Sequence, residues 1–115
     1  GRAIDLTQRP FAKHMAIWTD QTNYDACQKL ADTARTAAVD LIRYRSARDP
    51  DLGTNIALLS CRAFAHNEPA GREAWHVQLS ASGARLICEF PRLILNFDRA
   101  TFAKDPRIAA MNWDR

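Results

Sequence analysis

A chain of 115 residues suits one domain and leaves little room for two. Its 47% hydrophobic and 25% charged residues match an ordinary globular protein and exclude a disordered chain. The net charge of +3 is mild and the basic residues are scattered, which argues against direct nucleic-acid binding but suits a small anionic ligand.

No apolar run approaches the ~18 residues that a membrane helix needs. Gly1-Arg2-Ala3-Ile4-Asp5 lacks the apolar stretch of a signal peptide. A soluble cytoplasmic protein with no membrane partner is expected. Cys27, Cys61 and Cys88 are odd in number and without C-x-x-C spacing, so buried free thiols are expected rather than a disulfide framework.

In chain order, residues 3–7 read as a short strand, followed by a mixed, proline-broken stretch to Trp18. Thr22 with Asp25 three residues later has the form of a capping box. Tyr24, Cys27, Leu30, Ala31, Ala34, Ala37 and Ala38 then recur every three or four residues. That period predicts one long amphipathic helix over residues 23–38, its alanines allowing close approach to a sheet. The period next changes to two: Ile42, Tyr44 and Ser46 point one way, Arg43 and Arg45 the other. Asp49-Pro50-Asp51-Leu52-Gly53 predicts a turn. Residues 55–60 are almost all apolar, as in a strand covered on both faces.

After a polar loop, Trp75, Val77 and Leu79 alternate with polar residues, and Leu86, Cys88 and Phe90 do so beyond a glycine-containing turn. These runs predict a β-hairpin. Leu93, Leu95 and Phe97 predict another strand, and Asp105-Pro106 a terminal helix with aspartate as N-cap and proline at its first position. The expected class is α+β, a mostly antiparallel sheet with one long amphipathic helix. Residues 1–98 form the expected domain and residues 99–115 a helical tail.

The common chemical motifs are missing. His14, His66 and His76 stand far apart with no ligand spacing, so no metal is expected. There is no glycine-rich phosphate loop and no Gly-x-Ser-x-Gly elbow. Trp18, Trp75 and Trp113 read as packing residues. The stretch from Arg43 to Asn55 differs. It gathers three arginines, a tyrosine, a serine and an asparagine where a strand runs out into a turn. Guanidinium groups pair with phosphate oxygens, while a hydroxyl and an amide suit ribose or an amide ligand. A solvated strand edge would show the same residues, so residue chemistry alone leaves both readings open.

At these positions the chain resembles the RES family. The similar segments are Asn23-Tyr24-Asp25-Ala26-Cys27-Gln28-Lys29-Leu30-Ala31, Asp40-Leu41-Ile42-Arg43-Tyr44-Arg45-Ser46-Ala47-Arg48-Asp49-Pro50 and the apolar strand from Asn55. The likeness covers about residues 3–90. It implies the C-terminal half of a fold like that of ADP-ribosyltransferase toxins, in a bacterial toxin–antitoxin system. It implies NAD as the substrate, cleaved between nicotinamide and ribose, with water, phosphate or a protein as acceptor. Ser46 matches the family serine and is the expected catalytic residue. Tyr44, Arg45, Arg48 and Asn55 are the expected NAD-binding residues. The family's arginine and glutamate have no counterpart here, so this chain alone is expected to be inactive. The expected partners are the missing N-terminal half of the domain and a helix-turn-helix antitoxin, with room for a homo-oligomer. The alternative is a non-catalytic protein- or nucleotide-binding module on the same fold.

Overall fold

A computed structural model describes residues 1–112. The class is α+β, as the periodicities require. The chain divides into two compact units, Gly1–Asn67 and Glu68–Arg115.

The first unit runs β1 (Ala3–Asp5), a 3-10 turn (Phe11–His14), α1 (Met15–Trp18), α2 (Asp25–Thr36), β2 (Leu41–Arg45), β3 (Thr54–Leu58) and a second 3-10 turn (Cys61–Ala63). The strand order is β1-β2-β3. β1 runs parallel to β2, with Ile4 opposite Ile42; β2 runs antiparallel to β3, with Tyr44 opposite Asn55. Parallel neighbours need a crossover connection, and α2 lies within it. Leu6, Ala34, Val39 and Ile42 form the buried core, with Phe11, Trp18, Leu30, Tyr44 and Ala57 packed around them. Ala34 is only 2% exposed, so its small side chain sets how closely the helix approaches the sheet.

The helix is shorter than the apolar period suggests, and both ends have a cause. At its start, Asp20 Oδ1 accepts from the N–H groups of Thr22 and Asn23, each at 2.9 Å. Asn23 Oδ1 then accepts from the Asp25 N–H at 3.1 Å. No Thr22–Asp25 box forms, because Asp20 already takes the Thr22 amide and hydroxyl, and the helix begins at Asp25. At its end, the Val39 N–H donates to the Ala34 carbonyl and the Ala38 N–H to the Arg35 carbonyl. This is the Schellman arrangement. It requires Ala38 in the left-handed region, at φ 56°, and it leaves Ala37 and Ala38 exposed beyond the helix.

The strand expected to be covered on both faces is an edge strand. Ala57 packs on the core, whereas Ile56 is 59% exposed and Leu58 46% exposed. An apolar run tells of burial potential, not of a layer on each side. Asp40, 3% exposed, ties the chain start to this sheet. Its carboxylate accepts from the Arg2 N–H at 2.8 Å and pairs with Arg62 Nη2 at 3.1 Å.

The second unit is a meander of β4 (Trp75–Ser80), β5 (Gly83–Cys88) and β6 (Leu93–Asp98), then α3 (Arg99–Phe102) and α4 (Pro106–Ala109). Among the described residues, three of the four strand pairings are antiparallel, as expected, but they fall in two three-stranded sheets rather than one. The first ladder ends at Leu58, ahead of the 3-10 turn Cys61–Ala63. The two-residue link between Ser80 and Gly83 then pairs β4 with β5 at little loop cost. Gly83, at φ 154°, has no alternative: a methyl group there would collide with the Phe97 carbonyl. Asp105 caps α4 as expected, accepting from the Arg107 N–H at 3.0 Å and pairing with its guanidinium at 2.8 Å. Of the tryptophans, Trp18 joins the core, Trp75 is 37% exposed, and Trp113 lies outside the described residues. Cys27, Cys61 and Cys88 are free thiols, but Cys61 is exposed rather than buried. Among the described residues, no helix is long and apolar enough to cross a membrane.

Two outcomes follow from these contacts. A left-handed alanine is strained by about 1–2 kcal/mol, and glycine at that position gives back roughly half in unfolded-state entropy. Ala38→Gly should therefore raise unfolding stability by about 0.5–1 kcal/mol in a urea titration. Thr7 hydrogen bonds hold the Asp5 carboxyl below its usual pKa, the Asn23 and Thr22 amides do so for Asp20, and the Arg2 amide and the Arg62 charge for Asp40. A depressed folded-state pKa adds stability in full above the unfolded value of 3.8, and this is lost as pH falls through the folded value. The melting temperature should hold steady from neutral pH to about pH 5 and fall below about pH 4.

Candidate ligand cavity

β2 carries two sets of side chains to two faces. Arg43 and Arg45 face away from the helix: Arg43 pairs with Asp5 at 3.0 Å, and Arg45 Nη1 donates to the Leu52 carbonyl at 3.1 Å. Ile42 and Tyr44 face the helix, and Ser46 continues their line where the strand ends.

The turn that follows is organised by Asp49. Its carboxylate accepts from the Asp51 N–H at 2.9 Å and the Gly53 N–H at 3.0 Å, while the Leu52 N–H donates to its carbonyl at 3.0 Å. The Ser46 N–H donates to the Gly53 carbonyl at 2.7 Å, which closes the base of the turn. Leu52, not Gly53, takes the left-handed conformation, at φ 51°. Gly53 matters in a different way: a methyl group there would push the Asp49 carboxylate off its place against the turn amides. Ser46 Oγ accepts from the Asp49 N–H at 3.2 Å, so the serine serves the turn as well as facing inward.

Between this turn, the sheet and α2 lies a cavity of about 570 Å³. Its walls include Tyr44, Ser46, Arg48 and Asn55, four of the five residues singled out from the sequence; Arg45 is not among them. The strand's period of two explains the exclusion, since Arg45 stands one residue from both Tyr44 and Ser46. Leu6, Leu30, Ile42 and Ala57 supply an apolar floor.

Asp20, Tyr24, Cys27 and Arg35 also line the cavity, and sequence reasoning assigned none of them to a site. For Tyr24 and Cys27 the signal existed, because the helical period put both on the inner face, but it reads equally as packing. Among the described residues, Asp20 is the only acidic one on the wall, and its Oδ1 is engaged by the Thr22 and Asn23 amides. Burial, together with the Asp20 charge, pushes the Cys27 thiol above its usual pKa, which keeps it protonated and weakly nucleophilic. Arg48 Nη2 donates to Tyr24 Oη at 2.9 Å and to the Gln21 carbonyl at 3.2 Å. The cavity thus joins an apolar floor to a rim with a serine hydroxyl, an exposed asparagine amide and two guanidinium groups. Such a site can hold a planar ring below and an anionic or ribose-bearing group above. Among the described residues, no three His, Cys, Asp or Glu side chains cluster as metal ligands would.

The sequence model of the RES domain matches residues 1–80, which include both α2 and the Ser46 turn. No curated protein matches the chain at a significant level.

The dependence of Ser46 on the turn can be measured. Asp49→Ala removes the acceptor for two backbone donors and should cost about 2 kcal/mol of stability. Amide hydrogen exchange should quicken at Asp51 and Gly53 while the α2 amides stay protected.

Proposed function

Because the chain belongs to the RES domain family, matched over residues 1–80 of 115, we propose that it is the C-terminal portion of an NAD-consuming toxin that cleaves the nicotinamide–ribose bond. One observation carries this reading: Tyr44, Ser46, Arg48 and Asn55 meet at a single cavity with an apolar floor. NAD needs both parts, an apolar bed for a flat ring and cationic donors for its diphosphate.

In the proposed reaction, the bond from ribose C1′ to the pyridinium nitrogen breaks and its electron pair leaves with nicotinamide. Positive charge then develops on the ribose, and water, phosphate or a protein side chain attacks C1′ and loses a proton. Ser46 Oγ, held by the turn, positions the nicotinamide ribose. Arg48 contacts the diphosphate, Tyr44 lines the ring pocket, and Asn55 gives an amide to the ribose or carboxamide. Arg45 lies on the other face of β2 and supports the turn through the Leu52 carbonyl. Stabilising the developing charge calls for a carboxylate, and among the described residues the cavity wall has one, Asp20, whose Oδ1 is taken up by the start of α2. We assign that role to the family's glutamate, outside the 115 residues, so the chain by itself would not turn over NAD. Toxin function in a bacterial cytoplasm also implies a neutralising partner, and a helix-turn-helix antitoxin is the one we propose. That this one carboxylate also serves the helix start is what favours the second reading, a nucleotide- or protein-binding module without catalysis.

The test uses the full-length protein. Ser46→Ala removes one hydroxyl and should change stability by no more than about 1 kcal/mol. Nicotinamide release should fall on the order of 10²-fold, as for a lost transition-state contact. Arg48→Ala should mainly weaken NAD binding, and more at low salt. Full activity in the serine variant, or activity lost only through unfolding, would make Ser46 a turn residue and refute the site.

A further inference from the structure

The arginine proposed to meet the ligand sits on an exposed turn, where a long side chain would sample many rotamers. The structure ties it down from a distant part of the chain. Arg48 Nη2 donates both to Tyr24 Oη, at 2.9 Å, and to the Gln21 carbonyl, at 3.2 Å. Tyr24 Oη in turn donates to the same Gln21 carbonyl at 2.7 Å. The three groups close a small ring of hydrogen bonds in which the phenol both accepts and donates. One residue earlier on the turn, the Ala47 carbonyl accepts from Gln21 Nε2 at 2.7 Å. Both the side chain of Arg48 and the backbone beside it are therefore held by residues 21–24.

That segment is itself anchored. Asp20 takes the amides of Thr22 and Asn23, Asn23 takes that of Asp25, and Tyr24 occupies the N-cap position of α2. Tyr24 and Arg48 both line the cavity, and Gln21 does not. We propose that Tyr24, braced by Gln21, is a positioning residue: it orders the Arg48 guanidinium at the cavity rim from the start of α2, so that an anionic ligand meets a pre-set cation. A ligand that finds its cation already ordered avoids much of the entropy cost of immobilising it. This inference rests on the reading that Arg48 contacts the diphosphate of NAD.

The experiment is a double-mutant cycle on NAD binding, followed by calorimetry in the full-length protein at low and high salt. Tyr24→Phe keeps the ring and deletes only the hydroxyl. It should weaken NAD binding about tenfold, the scale of one hydrogen bond to a charged group. In an Arg48→Ala background the same change should have less than about a twofold effect, because its route to the ligand is gone. The loss from Tyr24→Phe should also shrink at high salt, as a charge-mediated effect must. Gln21→Met, which deletes the donor to Ala47, provides a second variant with the same expected direction should the first melt early.

Equal losses from Tyr24→Phe in both backgrounds would overturn the inference, since the tyrosine would then act on the ligand or the cavity without the arginine. Unchanged binding in Tyr24→Phe and Gln21→Met, with weakened binding in Arg48→Ala, would overturn it too while leaving the proposed NAD site intact. Binding unaffected by Arg48→Ala would instead sink the site assignment on which the inference stands.

Discussion

Parallel pairing of β1 with β2 is the constraint from which the rest of the first unit follows. Two parallel strands cannot be joined by a tight turn, so the chain must travel back across the sheet before it can re-enter it. Helix α2 makes most of that journey, and Ala34 against Ile42 lets it lie close to the strands. The start of the helix is then carried to the end of β2 where the strand gives way to the Ser46 turn, as the Gln21–Ala47 and Tyr24–Arg48 bonds record. A cavity bounded by helix, strand and turn is the geometric result.

Local backbone demands are met here without the usual residue. Ala38 and Leu52 both take left-handed conformations that glycine would adopt with less strain. At Ala38 the reward is a closed helix end; at Leu52 it is a turn drawn tightly around Asp49. Gly53 is left free to pass beside the Asp49 carboxylate, which a methyl group there would displace. Ser46 inherits its place from this turn. Its hydroxyl is a hydrogen-bond acceptor for the backbone and a wall group of the cavity at once, so any function it has depends on the turn remaining intact.

The acidic and thiol groups of the cavity are set by the framework around them. Asp20 serves the helix start, and Cys27 is kept neutral by burial and by the Asp20 charge. Neither has the character of a base or a nucleophile. What the walls present, a hydroxyl, an amide and two guanidinium groups, is recognition chemistry, which is why the proposed bond cleavage relies on a carboxylate from elsewhere.

The sequence by itself determined the elements whose signals are local. The period of two in residues 41–46 separated Tyr44 and Ser46 from Arg43 and Arg45, because successive side chains on a strand must point to opposite faces. The Asp49–Gly53 turn, the hairpin at Ser80–Gly83 and the Asp105 cap were legible for the same reason: each depends on residues within a few positions of one another. Long-range facts were not legible. That residues 55–60 would form an edge strand, that the strands would divide into two sheets, and that Asp20 would displace the Thr22–Asp25 cap each depend on which segments meet. Only the tertiary structure decided that Arg48 would be gripped by Gln21 and Tyr24. Hydrogen bonds between residues 24 or more positions apart leave no periodicity in the chain, since they exist only once the crossover has brought the segments together.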